Sequence, residues 1–292
     1  MTRSSLWKLS ATLSLFAIAI VGLIIGAWIG RVHPPDIAPS IKVVFLNVSE
    51  GDCTVIQTPD GRTILIDAGS AYSGPEVVRS LRAMGIRRID LLILASPLDS
   101  EVEGALSLLQ NRMPIKSVWN NAVVNNEAGR KRVIAEITAR HIPYRVVYGF
   151  ENTQIGDSKM LLTVVWPPAR SPRFQEDALT CRLDFGNTSF LFAGALSGSS
   201  ESYMIAGAAD KLHCDILQVA EHGNDTGTSL EMLRRAEPTT AVISCTPSTT
   251  PGQGTLHRLQ VAGAGIWRTD TQGEVTIIAD GRTSPIVAGS QL

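Results

Sequence analysis

Three different patterns of apolar and polar residues follow one another along this chain. From residue 9 to residue 30 no charged residue occurs, only Leu, Ile, Val, Ala, Phe, Trp, Gly, Ser and Thr. As a helix, about 22 such residues span roughly 33 Å, close to the hydrocarbon thickness of a bilayer. Arg3 and Lys8 precede the run, Arg31 follows it, and Trp7 and Trp28 stand near its ends. The pattern predicts a single transmembrane helix over 9–30 that contacts membrane lipid. A short cytoplasmic N-terminus (1–8) precedes it, and the remainder lies outside the cytoplasm. The run is longer than the apolar part of a signal peptide and no small-residue cleavage site follows, so it reads as an uncleaved anchor. Gly22 and Gly26 have the spacing at which two membrane helices pack closely.

Residues 31–40 carry three prolines and predict a stiff linker. From 41 to 292 the pattern changes again. Short apolar runs at 41–48, 53–58 and 63–66 predict strands, the last two joined by the turn Pro59-Asp60-Gly61. Val77, Val78, Leu81 and Met84 recur with a helical period over 75–84, and Gly85 ends it. The unbroken apolar run 89–95 predicts a strand covered on both faces. Helices over 101–109 and 129–140 then alternate with strands at 115–119 and 144–148. The second half repeats the scheme, with strands at 161–165, 180–185, 189–193, 216–219, 240–244, 266–269 and 274–279, and helices at 200–206, 229–235 and 255–262. Two βα-rich halves, each opening with antiparallel strands, predict two sheets packed face to face with helices outside, a four-layer αββα sandwich.

Composition narrows the function classes. The chain is 44% hydrophobic and 18% charged, enough to bury a core. A formal net charge of −1 argues against a strong electrostatic nucleic-acid binder. Arg79, Arg82, Arg87 and Arg88 nevertheless cluster around one helix end, as a solvated face or a phosphate-contacting patch. Cys53, Cys181, Cys214 and Cys245 lie in apolar, strand-like contexts and form no C-x-x-C pair, so they read as buried thiols.

Five landmarks, in order, resemble the metallo-β-lactamase-like domain of ComEC-type competence proteins. Phe45-Leu46-Asn47-Val48-Ser49-Glu50-Gly51-Asp52 resembles its L-D-V-G-Q-G-D opening, and residues 58–69 resemble its T-P-x-G-x-x-x-L-I-D-x-G, ending at Asp67-Ala68-Gly69. Residues 81–90 resemble its L-x-x-x-G-I-x-x-I-D. Phe190-Leu191-Phe192-Ala193-Gly194-Ala195 resembles L-L-T-G-D, and Trp267-Arg268-Thr269-Asp270-Thr271-Gln272-Gly273 resembles Y-R-T-D-x-x-G. The resemblance implies the αββα fold and, in the family, zinc or manganese held by His and Asp at loop ends. There the metals activate water and clamp a phosphate or acyl oxygen.

Matched position by position, the ligand set is largely erased. Ser96, Leu98, Ser100 and Glu101 stand for H-x-H-x-D-H; Ala195 stands for a bridging Asp; Glu221 and His222 stand for a His pair; Thr250 stands for a late His. Leu98 and Ala195 offer no donor. Asp67, Glu101, Glu221 and His222 remain as candidates for a rebuilt site, so no metal cofactor and no catalytic residue are expected. Other chemistries lack their motifs: no G-x-S-x-G elbow surrounds Ser199, Ser200 or Ser202, and no Lys-Ser/Thr follows Gly252-Gln253-Gly254. His257 sits mid-helix, and Cys53 has no nearby base in sequence. The leading expectation is an anchored, catalytically inactive protein of this fold that binds or scaffolds a protein partner or DNA. The alternatives are a metal-dependent hydrolase with a rebuilt site, phosphodiesterase- or nuclease-like, and a non-cleaving DNA-uptake partner.

Overall fold

The computed structural model describes residues 39–48, 51–121, 127–155, 160–168, 178–196, 198–246 and 251–290. The expected N-terminus 1–8, the helix 9–30, nearly all of the linker and Thr250 lie outside these. The chain divides into two units, Met1–Pro39 and Ser40–Leu292, and every described strand and helix belongs to the second. Among the described residues no helix is long and apolar enough to cross a membrane.

Strands β1 (Ile41–Phe45), β2 (Thr54–Gln57) and β3 (Thr63–Ile66) form an antiparallel meander. Strands β4 (Leu91–Leu94), β5 (Val118–Asn120) and β6 (Tyr144–Val146) then run parallel to β3. Each is reached over helices: α1 (Gly74–Ala83), the pair α2 (Asp99–Val102) and α3 (Ala105–Gln110), and α4 (Ala128–Ala139). The second sheet repeats this scheme. Strands β7 (Asn152–Ile155), β8 (Met160–Trp166), β9 (Thr180–Phe185) and β10 (Thr188–Phe192) are antiparallel. Strands β11 (Ile216–Gln218), β12 (Thr240–Ile243) and β13 (Gly265–Arg268) are parallel, reached over α5 (Gly198–Ala208), α6 (Leu230–Ala236) and α7 (Gln253–Val261). After a short α8 (Thr269–Gln272), β14 (Val275–Ala279) and β15 (Ile286–Gly289) return to the first sheet, where β14 pairs with β1. The sheet orders are β15-β14-β1-β2-β3-β4-β5-β6 and β13-β12-β11-β10-β9-β8-β7.

Strand periodicity explains the layering. In β1, Val43 and Phe45 face the other sheet while Val44 faces the helices, so every one of these positions is apolar. Between the sheets Phe45, Ile64 and Ile93 meet Leu183, Phe190 and Phe192, with Phe45 and Phe192 ring centroids 6.2 Å apart. Outside the first sheet Val77, Leu81, Leu108 and Val133 cover Val55, Leu65 and Leu92. Outside the second, Met204, Met232, Leu233 and Leu259 cover Leu191, Leu217 and Ala241. Three apolar layers separate helices, sheet, sheet and helices, as the sandwich requires.

The structure departs from the sequence reading in two places. The single helix expected over 101–109 is two short helices broken at Glu103-Gly104. Gly104 rests against the Ala68 carbonyl so closely that a Cβ there would overlap its oxygen. Strands β7 and β15 were not legible as strands, because both are edge strands with exposed positions that weaken the apolar period. What matters for the site is that β3, β4, β10, β11 and β12 all end on one side of the molecule. Their loops meet there, at the carboxyl ends of the strands where such folds hold ligands.

Candidate functional site

At this end the structure brings together Glu101, His222 and a residue absent from the expected ligand set, Asp52. Glu101 stands on α2, which its N-terminal carboxylates favour as a helix start. Its side chain is 2% exposed. Glu101 Oε1 lies 2.9 Å from His222 Nε2, and Glu101 Oε2 accepts the backbone N–H of Asp52. His222 Nδ1 faces the Ser244 carbonyl at 2.9 Å and Asp52 Oδ1 at 3.6 Å. A carbonyl can only accept, so Nδ1 carries a proton. Nε2 faces a carboxyl oxygen, so the arrangement suits an imidazolium bonded at both nitrogens. Burial alone would lower the His222 pKa; Asp52 and Glu101 outweigh it and hold the ring up to about 12. Burial and then Asp52 push the Glu101 carboxyl up, against the pull of His222. Asp52 Oδ1 is buried without a hydrogen-bond partner.

His222 is held there by strained backbone. Glu221 and His222 have φ of 48° and 54°, left-handed values that side-chain-bearing residues seldom adopt. The bend is secured by the Glu221 N–H donating to the Gly194 carbonyl at 2.7 Å. It turns the Glu221 side chain away from Glu101, and its Oε2 accepts from Thr226 Oγ1 at 2.7 Å.

The other expected positions serve the loops. Asp67, buried at φ 55°, accepts the N–H groups of Ala95 at 2.8 Å and Ser96 at 3.2 Å through Oδ1. Burial and then Glu101 raise its carboxyl well above the usual range, and those two N–H groups oppose the rise. Ser96 is fully buried and its Oγ accepts the Leu98 N–H at 3.1 Å. Leu98 is 46% exposed. Ser100 and Ala195 are half-buried. Beneath them lies Arg130, 3% exposed, on α4. Its guanidinium donates to the Ser96 carbonyl at 2.7 Å and to the side-chain oxygens of Asn120 and Asn121. Asp99 Oδ1 accepts the Arg130 N–H at 2.6 Å and thereby starts α4. Neither Arg130 nor Asp52 stood out in the sequence as a site residue; Asp52 closes the first landmark motif, which was its only signal.

The donor set does not fit the two-metal centre that the fold family implies. Leu98 and Ala195 supply no ligand atom, and both His222 nitrogens are engaged by protein acceptors. Among the described residues no group of three or more His, Cys, Asp or Glu side chains is arranged to hold a metal ion.

The architecture and the position of this cluster define the class: the chain has a metallo-β-lactamase fold. It superposes on the metallo-β-lactamase fold protein YhfI from Bacillus subtilis with a TM-score of 0.54 at 11% identity, covering 81% of this chain and 99% of that one. It also matches CmlA, a diiron β-hydroxylase from Streptomyces venezuelae, with a TM-score of 0.56 at 15% identity, over 81% of this chain and 53% of the other.

In sequence the chain resembles the metallo-β-lactamase-like domain of ComEC-type competence proteins. It is 24% identical to ComE operon protein 3 of Bacillus subtilis over 262 residues, 82% of this chain and 33% of the relative. It is 22% identical to competence protein ComA of Neisseria gonorrhoeae over 247 residues, 82% and 33%. Protein YcaI of Escherichia coli is 22% identical over 281 residues, 93% and 34%. The chain thus spans about a third of the length of these relatives. No family model matches it.

Proposed function

We propose that this protein is membrane-anchored through residues 9–30 and catalytically inactive, and that it acts by binding or scaffolding with its domain outside the cytoplasm. One observation carries the inactivity. Where the fold family places metal ligands, two positions lack a donor atom, and the surviving histidine has both nitrogens bonded to Glu101 and Ser244. Its Nε2 enters a metal shell only by giving up Glu101 and a proton, whereas the Nδ1–H bond to the Ser244 carbonyl is compatible with ligation.

Elemental analysis of the purified chain is expected to find no stoichiometric zinc or manganese. Chelator treatment is then expected to leave Tm unchanged, since a site that binds nothing contributes no linkage. Ala195→Asp alone is expected to bind no metal tightly, because a metal centre needs most of its ligands and their supporting bonds together. The combined variant Ser96→His, Leu98→His, Ser100→Asp, Glu101→His, Ala195→Asp, Glu221→His, Thr250→His is the one that tests descent from an active enzyme.

A second reading has its own support, the buried Asp52 Oδ1, which lies beside Glu101 and 3.6 Å from His222 Nδ1 without accepting a hydrogen bond. On that reading the three form a rebuilt one-ion hydrolytic site. About one metal ion per chain, with phosphodiesterase activity abolished in both Glu101→Gln and His222→Asn, would replace the first reading by the second.

A further inference from the structure

The sheet register sets a row of residues at the end of the domain opposite the site. Ile286 pairs with Ile278, Ile278 with Lys42, Lys42 with Gln57, and Gln57 with Thr63. The Asp90 N–H donates to the Thr63 carbonyl and the Lys116 N–H to the Ile89 carbonyl, which continues the row. Strand β1 begins at this end. The helix-to-strand loops of the first sheet also lie here; the loop after α1 carries Arg87 and Arg88, and Arg82 stands in the last turn of α1.

Three adjoining cavities run along these loops. The first, ≈ 410 Å³, is lined by Arg82, Arg87 and Arg112 over an apolar floor of Ile86 and Met113. It shares Pro114 with the second, ≈ 340 Å³, which Arg88 and Lys116 line. That one shares Asp90 and Lys116 with the third, ≈ 230 Å³, where Arg62 and Arg145 stand. Among the described residues Asp90 is the one acidic side chain lining any of the three, and it lies 3.3 Å from Arg88. Arg87, Arg112 and Lys116 are exposed and have no acidic partner among the described residues. At one flank of the same sheet end stands an exposed apolar side chain, Ile286 at 66% on β15. A formal charge of −1 therefore conceals a basic face, on which Arg62 and Arg145 pair with Asp60 and Glu151 while Arg87, Arg112 and Lys116 stand without an acidic partner among the described residues.

We propose that the basic end docks on anionic phospholipid headgroups, with the cavities receiving lipid phosphates and Ile286 entering the interface. Exposed arginines beside an exposed aliphatic side chain are what an anionic headgroup layer binds. An anionic surface adds about fivefold per basic residue to such an equilibrium. Docking by this end turns the Glu101–His222 cluster away from the bilayer, toward soluble partners. This docking rests on the membrane anchoring proposed for residues 9–30 and adds to it, and the experiment separates the two.

The full chain is incubated with vesicles of phosphatidylcholine, alone or with about a third phosphatidylglycerol, both carrying spin-labelled headgroup lipid. A fluorophore is placed at Ile286→Cys or, at the site end, at Tyr72→Cys; Tyr72 is 86% exposed and the four native cysteines are buried. Phosphatidylglycerol is expected to increase quenching at 286 and not at 72, and high salt to reverse it. The double variant Arg87→Glu, Arg112→Glu is expected to lower the docked fraction on the order of 20-fold or more. No response to phosphatidylglycerol, equal quenching at both labels, or an unaffected double variant overturns the proposal. So does salt-sensitive binding of a single-stranded oligonucleotide through the same arginines without lipid quenching. Flotation with pure phosphatidylcholine reports the anchor alone. A chain that floats there yet ignores phosphatidylglycerol keeps its anchor and loses this proposal. One that floats only with phosphatidylglycerol does the reverse.

Discussion

Replacing Glu101 by alanine is expected to destabilise the folded chain by about 3 kcal/mol, read from the denaturant midpoint. The change removes a buried carboxyl from His222 and leaves the Asp52 N–H without its acceptor. The lower end of the range for buried pairs applies because the His222 side chain is 27% exposed. His222→Asn isolates the ionic part, since asparagine tolerates the left-handed backbone at this position. In a double-mutant cycle the two changes are expected to couple by at least about 1 kcal/mol. Additive effects would mean that the pair contributes nothing beyond its separate contacts.

The same pair sets a pH dependence with a definite sign. His222 has an ordinary pKa of 6.5 and is held up to about 12 in the fold. Its contribution is therefore complete below pH 6.5 and declines as pH rises from there toward 12, because the unfolded chain releases the proton first. Relative to His222→Asn, the native chain is expected to lose its advantage between neutral and strongly alkaline pH. A difference that stays flat across that window would show that the ring is neutral in the fold.

Arg130→Ala is expected to cost a further, comparable amount, about 3–4 kcal/mol. Burial lowers the guanidinium pKa, yet its N–H groups satisfy three oxygens, those of Ser96, Asn120 and Asn121. Truncation strands all three in the core and opens a void. Arg130→Lys keeps the charge without the planar fork and is expected to recover only part of the loss. Hydrogen exchange is expected to quicken at residues 95–98, the loop that Arg130 holds from below. A midpoint within about 1 kcal/mol of the native chain would show that water replaces the guanidinium at little cost.

The layers of the fold were legible because strands buried on both faces must be apolar throughout. Runs such as Leu91–Leu94 and Thr240–Ile243 therefore announce themselves. The edge strands Asn152–Ile155 and Ile286–Gly289 did not, because exposure on one side dilutes the period. The break after Glu103 depends on the approach of Gly104 to the carbonyl of Ala68, a contact between segments that no local pattern contains. At the site, Glu101 and His222 were named from motif positions, and the structure places them in contact. Glu221 was named on the same ground, but its backbone conformation turns it to Thr226. Asp52 and Arg130 belong to the cluster through tertiary contacts alone, with sequence separations of 49 from Glu101 and 34 from Ser96.

The arginines without acidic partners at one end bear on how copies of this protein meet in solution. A nearly neutral chain has a net charge that does little to keep copies apart. At low ionic strength the basic end of one copy attracts exposed carboxylates on another. Added salt shortens the reach of that attraction to roughly 8 Å at physiological strength. Purification without salt therefore favours association of copies, and moderate salt favours the separated chain.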